Sequence, residues 1–165
     1  MGKSKIYVNG KLLAEHFGGY LPVVVDVTDA LEFGKENLIA VWADNSNDPN
    51  YPPGKQQEVL DFTYFGGIYR DCWLIAHNQV FITDPNYENE EAGGGLFVAY
   101  NNVSDHSAEV LLKIQIRNSG RKAFKGVVEY ELQQPDGQQV ASLNSVIRIK
   151  PGKSTYSSDK LTVKS

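Results

Sequence analysis

From residue 79 onward the chain repeats one pattern. Residues 79–83, 96–103, 109–117, 126–132, 139–149 and 154–163 alternate apolar and polar side chains with a period near two. Polar or turn-forming residues close each run, at 88–95, 104–107, 118–120, 135–137 and 150–152. A period of two sends successive side chains to opposite faces of an extended chain, so each run can bury one face and wet the other. Short strands at such spacing build a β-sandwich. Within residues 110–117, Leu112, Ile114 and Ile116 are expected to face the core, and Lys113, Gln115 and Arg117 to face water. No stretch keeps a helical period for more than a turn or two, so the fold class is all-β.

The first part of the chain is also β in character but less regular. Asn9-Gly10 between residues 5–8 and 11–14 predicts a hairpin with a type I′ turn. The β-branched run Val23-Val24-Val25 predicts a strand, as do residues 37–44 and 67–76. Residues 27–31 suit one helical turn capped by Thr28 or Asp29. Residues 45–55, with three Asn, three Pro and a Gly, form a long loop of the kind that carries function on rigid β scaffolds. His77-Asn78 looks like a join, which divides the chain into units 1–77 and 78–165.

Charge and aromatic content separate the same two parts. Residues 1–78 carry six Lys or Arg against ten Asp or Glu, and eleven of the eighteen aromatics, whereas residues 79–165 carry ten charges of each sign. No basic stripe is present, which argues against a nucleic-acid partner. The longest apolar stretches, such as residues 21–25, are too short to cross a bilayer, and residues 1–5 lack the apolar core of a signal peptide. One cysteine, Cys72, allows no internal disulfide, and its apolar neighbours predict a small core residue.

Residues 60–71 carry the chemistry. Asp61 is a lone carboxylate among Leu60, Phe62, Tyr64 and Phe65, followed by Gly66-Gly67 and then by Arg70-Asp71. Rings beside an isolated acceptor suit a sugar, whose C–H faces pack on aromatics and whose hydroxyls bond carboxylates. Asp61 could instead cap a turn or pair with an Arg, as many structural acids do. Arg70 and Asp71 point to opposite faces of a strand and are expected to fix neighbouring loops. His16 and His77 are expected to be hydrogen-bonded structural imidazoles. Glu88, Glu90 and Glu91 precede Gly93-Gly94-Gly95, but calcium-loop spacing is missing and a solvated loop is favoured. Glycoside hydrolysis needs two carboxylates roughly 5–10 Å apart. Asp61 has no partner in its own motif, and Asp44 or Asp48 could meet it only through folding that local sequence does not specify. Sugar contact is thus better supported than sugar cleavage.

Val8-Asn9-Gly10-Lys11, His16-Phe17-Gly18-Gly19-Tyr20-Leu21-Pro22, Asp26-Val27-Thr28, Gly34-Lys35-Glu36-Asn37 and residues 61–71 occur in an order that resembles glycoside hydrolase family 2. The β-galactosidases are the nearest match, with β-glucuronidases and β-mannosidases as relatives. The resemblance implies a partial jelly-roll sugar-binding domain followed by an immunoglobulin-like sandwich. It further implies a TIM barrel elsewhere in the enzyme that holds both catalytic glutamates, so no residue here is assigned a catalytic role. Asp61 matches the family aspartate that contacts the terminal sugar and, in some galactosidases, helps hold a sodium ion. No other cofactor is implied. The first jelly-roll strands and the closing segment of the second domain are expected to be missing, which leaves open strand edges where a second copy could pair. A stand-alone carbohydrate-binding module is the competing reading. The resemblance is compatible with a periplasmic or a cytoplasmic bacterial enzyme.

Overall fold

A computed structural model describes residues 2–63 and 65–164, with the backbone alone for Gln57. Packing divides the chain into two units, Met1–Leu74 and Ile75–Ser165. Both are built from antiparallel strands, in keeping with the all-β expectation.

In the first unit, β1 (Lys3–Val8) lies between β2 (Lys11–Phe17) and β3 (Ile39–Asp44). The β1–β2 turn has φ values of 50° at Asn9 and 80° at Gly10, the left-handed pair that a type I′ turn requires. Asn9 does more than turn the chain. Its side-chain amide donates to Ala30 O and Asn37 Oδ1, and its Oδ1 accepts from the Leu38 amide at 2.9 Å. Asn37 in turn donates to the Glu32 and Lys35 carbonyls and accepts from the Glu32 amide. Two sequence motifs about thirty residues apart are therefore one hydrogen-bonded knot that leads the chain into β3.

The register places Ile6 opposite Val41 and Val8 opposite Ile39 on one face. Val8 is fully buried (0% exposed) and is the only hydrophobic core residue of this unit among the described residues, while Ile39 and Val41 remain exposed. A 3₁₀ turn at Thr28–Ala30 occupies the expected position, but its cap is neither Thr28 nor Asp29. Asp26 Oδ1 accepts from the Thr28 amide at 2.9 Å, because an Asx residue bonds the backbone two residues ahead.

Neither 23–25 nor 67–76 forms a strand. Both have suitable side chains, but a ladder also needs a partner edge, and no described strand pairs with either. The expectation for Cys72 fails for the same reason: it is exposed, and so are Trp73, at 79%, and Leu74.

In the second unit, β6 (Ser107–Asn118) is the central strand. It pairs along its whole length with β9 (Lys153–Lys164), and on its other edge with β4 (Val80–Ile82) and β5 (Leu96–Asn101). The hairpin β7 (Phe124–Gln133) and β8 (Gln139–Ile149) forms the second layer. Val110, Leu112, Ile114 and Ile116 of β6 meet Tyr130, Ile147, Ile149 and Leu161 in one core. Leu96, Val98 and Tyr100 of β5 lie opposite core residues of β6 yet stay exposed.

Gln115 departs from the expected alternation: it is buried. Thr83 Oγ1 donates to Gln115 Oε1 at 2.6 Å and accepts from the Gly95 amide, and the Gln115 and Thr83 amides donate to Gly95 O and Gln115 O. These buried polar groups thus satisfy one another, which burial requires. The stretch beside them contains one short helix, α1 (Pro85–Glu88), with Asp84 accepting from the Asn86 and Tyr87 amides and Pro85 opening the first turn. Glu88 pairs with Arg117 at 2.7 Å, and Glu90 accepts from the Tyr156 hydroxyl at 2.5 Å. Two of the three glutamates before the glycines thus act as struts between loop and sheet.

Candidate functional site

The Asp61 segment belongs to the first unit and has no ladder bonds to hold it. A 3₁₀ turn at Gln57–Val59, closed by the Val59 amide to Gln56 O at 3.1 Å, delivers the chain to Asp61. Asp61 sits in a bend and is exposed, with exposed Phe62 and Phe65 beside it. Tyr64 lies outside the described residues. Among the described residues no hydrogen bond or ion pair engages the Asp61 carboxylate, so its acceptor lone pairs are open to solvent.

Two contacts anchor the chain beyond Asp61. The Tyr69 hydroxyl donates to Gly19 O at 2.9 Å, which ties the aromatic run to the Gly18-Gly19-Tyr20 motif. Gly66 lies directly against the Asn45 side chain: a Cβ placed on it would come within 2.9 Å of Asn45 Oδ1 and 3.1 Å of Nδ2. Asn45 is presented by the end of β3, where Asp44 accepts from both the Ser46 amide (2.8 Å) and the Ser46 hydroxyl (3.0 Å). Local sequence does not reveal this seat. The Gly66-Gly67 pair signals a bulge or a close backbone approach, but not which side chain makes it.

Asp44 and Asp48 are each engaged by structural partners that keep them ionised, which suits neither to act as a general acid. The Ser46 amide and hydroxyl hold Asp44 below the usual carboxylate range. Lys3, at 2.6 Å, and the Asn50 amide hold Asp48 below it as well. Lys3 is raised in return, chiefly by its hydrogen bond to Asp48. The loop containing them is pinned to the first hairpin, with Tyr51 stacked on Phe17 (ring centroids 5.0 Å apart, planes 8° from parallel) and Lys3 Nζ 5.3 Å from the Tyr51 centroid. It includes a cis bond between Pro52 and Pro53.

The remaining candidates divide. Arg70 lies over the neighbouring Tyr69 ring, 5.2 Å from its centroid, and within the described residues of this unit neither Arg70 nor Asp71 makes an ion pair. His77 Nδ1 donates to Asn78 O at 2.9 Å and its ring stacks on Phe81. His16 departs from expectation: its Nε2 is buried without a hydrogen-bond partner among the described residues. No group of three or more His, Cys, Asp or Glu among the described residues is arranged to hold a metal ion. Asp61 by itself supplies too few ligands to hold a cation.

No family model matches the chain. A β-galactosidase of Thermoanaerobacter pseudethanolicus is 31% identical over 146 residues, which are 88% of this chain and 18% of that protein. The crystal structure of a putative β-galactosidase from Bacteroides fragilis superposes with a TM-score of 0.83 at 29% identity, over 99% of this chain and 23% of its own. A β-glucuronidase from glycoside hydrolase family 2 superposes with a TM-score of 0.79 at 25% identity, over 98% of this chain and 17% of its own. Other relatives and solved structures are also named β-glucuronidases. The chain therefore spans less than a quarter of the length of the relatives it matches.

Fold and similarity together define a β-sandwich segment of a glycoside hydrolase. The chain belongs to glycoside hydrolase family 2.

Proposed function

We propose that this chain forms one wall of the substrate pocket of a retaining β-galactosidase, where Asp61 accepts a hydrogen bond from a hydroxyl of the terminal sugar. The observation that carries the reading is the exposed Asp61 carboxylate, unengaged among the described residues and flanked by exposed aromatic rings. A carboxylate that no described residue engages, beside flat apolar faces, has the two properties that a pyranose ring recognises. The two catalytic glutamates come from a TIM barrel outside this chain. A sodium ion at Asp61 would draw its other ligands from there too.

The test is made in the full-length enzyme. Asp61→Ala is expected to lower kcat/KM for an aryl β-galactoside by about ten- to a hundredfold, the worth of one hydrogen bond to a charged group. The purified 165-residue chain is expected to turn over none. An unchanged kcat/KM, or turnover by the chain alone that Asp61→Ala abolishes, would refute the proposal. Relatives named β-glucuronidase support a second reading in which the parent acts on glucuronides. Parallel assays with aryl galactoside and aryl glucuronide separate the two. Calorimetry of the chain with galactose and lactose addresses the stand-alone module, which requires micromolar binding.

A further inference from the structure

Asp61 stands on a segment without ladder bonds, yet a sugar contact needs its donor and acceptor held within a few tenths of an ångström. Of the two anchoring contacts among the described residues, the one at Gly66 lies nearer to Asp61 in the chain. The Asp44–Ser46 hydrogen bonds fix the turn that ends β3, and that turn directs the Asn45 side chain onto the backbone at Gly66, five residues beyond Asp61. The approach is close enough that a larger residue would push the Asn45 side chain aside, since an added Cβ would come within 2.9 Å of Asn45 Oδ1 and 3.0 Å of Cγ. Gly67, by contrast, has φ of 81° with nothing within 4 Å of a Cβ, so it serves the backbone turn alone. The two glycines of the motif thus have different reasons to be glycine, and the first one is a contact.

We propose that Asn45, seated on Gly66, is a positioning residue for Asp61, transmitting the rigidity of the β1–β3 sheet to the sugar-contacting segment. Gly66 has no left-handed φ, so a methyl group there strains no backbone and acts by displacing the Asn45 amide. This inference rests on the Asp61 reading above, and its test separates the two.

In the full-length enzyme, kcat/KM is measured for an aryl β-galactoside and for its monodeoxy analogues, together with the thermal midpoint of each variant. D61A identifies the hydroxyl that Asp61 contacts as the one whose removal no longer matters. G66A and N45A are each expected to reduce discrimination at that same hydroxyl by about tenfold, with discrimination at the others kept. A general loss of structure would lower all of them together. G66A should add nothing in an N45A background, because the amide it displaces is gone. If D61A alters discrimination at no hydroxyl, the Asp61 reading fails. If D61A does so but N45A and G66A leave that hydroxyl's discrimination intact, or their effects add in full, the positioning role fails. Should G66A not fold, N45A alone decides by the same criterion.

Discussion

Asp159 on β9 is a small case of burial and hydrogen bonding in competition. Burial pushes its carboxyl up, but hydrogen bonds from Ser145 Oγ at 2.5 Å and Ser157 Oγ at 2.6 Å outweigh it and hold the group below the usual carboxylate range. The Tyr130 hydroxyl beside it is buried without a hydrogen bond of ordinary geometry, yet close enough to Ser157 and Asp159 to feel their charge and dipole. A carboxylate depressed in the folded state stabilises fully above its unfolded value of roughly 3.9, and that stabilisation is lost as pH falls through the lower folded value. The thermal midpoint of the second unit is therefore expected to fall as pH drops below about 4. Asp159→Asn should lower the midpoint at neutral pH and flatten that acid limb, as a calorimetric pH series would show. Residues like this are only partly legible in a sequence. Asp61 stands out because nothing local accounts for it, while alternation misplaces Gln115 because its partner, Thr83, lies 32 residues away. Alternation states which way a side chain points, not what waits for it there.

At the scale of elements, β6 through β9 follow their sequence patterns to within a few residues, because each run has a partner of matching length. Residues 23–25 and 67–76 also contain strand-favouring side chains yet form no ladder, so propensity without a neighbouring edge is insufficient. The short helix at 85–88 is signalled by Asp84-Pro85, a cap and then the one residue that costs nothing in a first turn. Packing sets the energetics of these strands more than pairing does. Ile149, 2% exposed on β8, is expected to cost about 2–5 kcal/mol when replaced by Ala. Val98, paired with buried Leu112 but itself open to water, should cost well under about 1 kcal/mol. Urea titrations of I149A and V98A that gave equal midpoint shifts would contradict the two-layer core described for this unit.

Across the whole molecule, apolar burial is distributed unevenly. The second unit encloses eight large side chains in one core, whereas the first encloses Val8 and leaves Leu38, Ile39, Val41, Phe62 and Ile68 open to water. Exposed apolar area on that scale, next to unpaired strand edges, drives association. The isolated chain is expected to self-associate with rising concentration or to lose structure in its first unit. Sedimentation velocity showing a compact, folded monomer at high concentration would overturn this. Composition foreshadows the imbalance, since the part of the chain richest in aromatic residues has, among the described residues, the fewest buried hydrophobic side chains.

That imbalance gives the protein its own optical reporter. Both tryptophans, Trp42 and Trp73, lie in the first unit and are exposed, while the second unit has none. Indole emission from the isolated chain should therefore lie toward that of solvent-exposed tryptophan. Any surface that comes to shelter these rings, whether another copy or the remainder of the enzyme, would shift the emission toward the blue. Intrinsic fluorescence therefore reads out the covering of the first unit without a label.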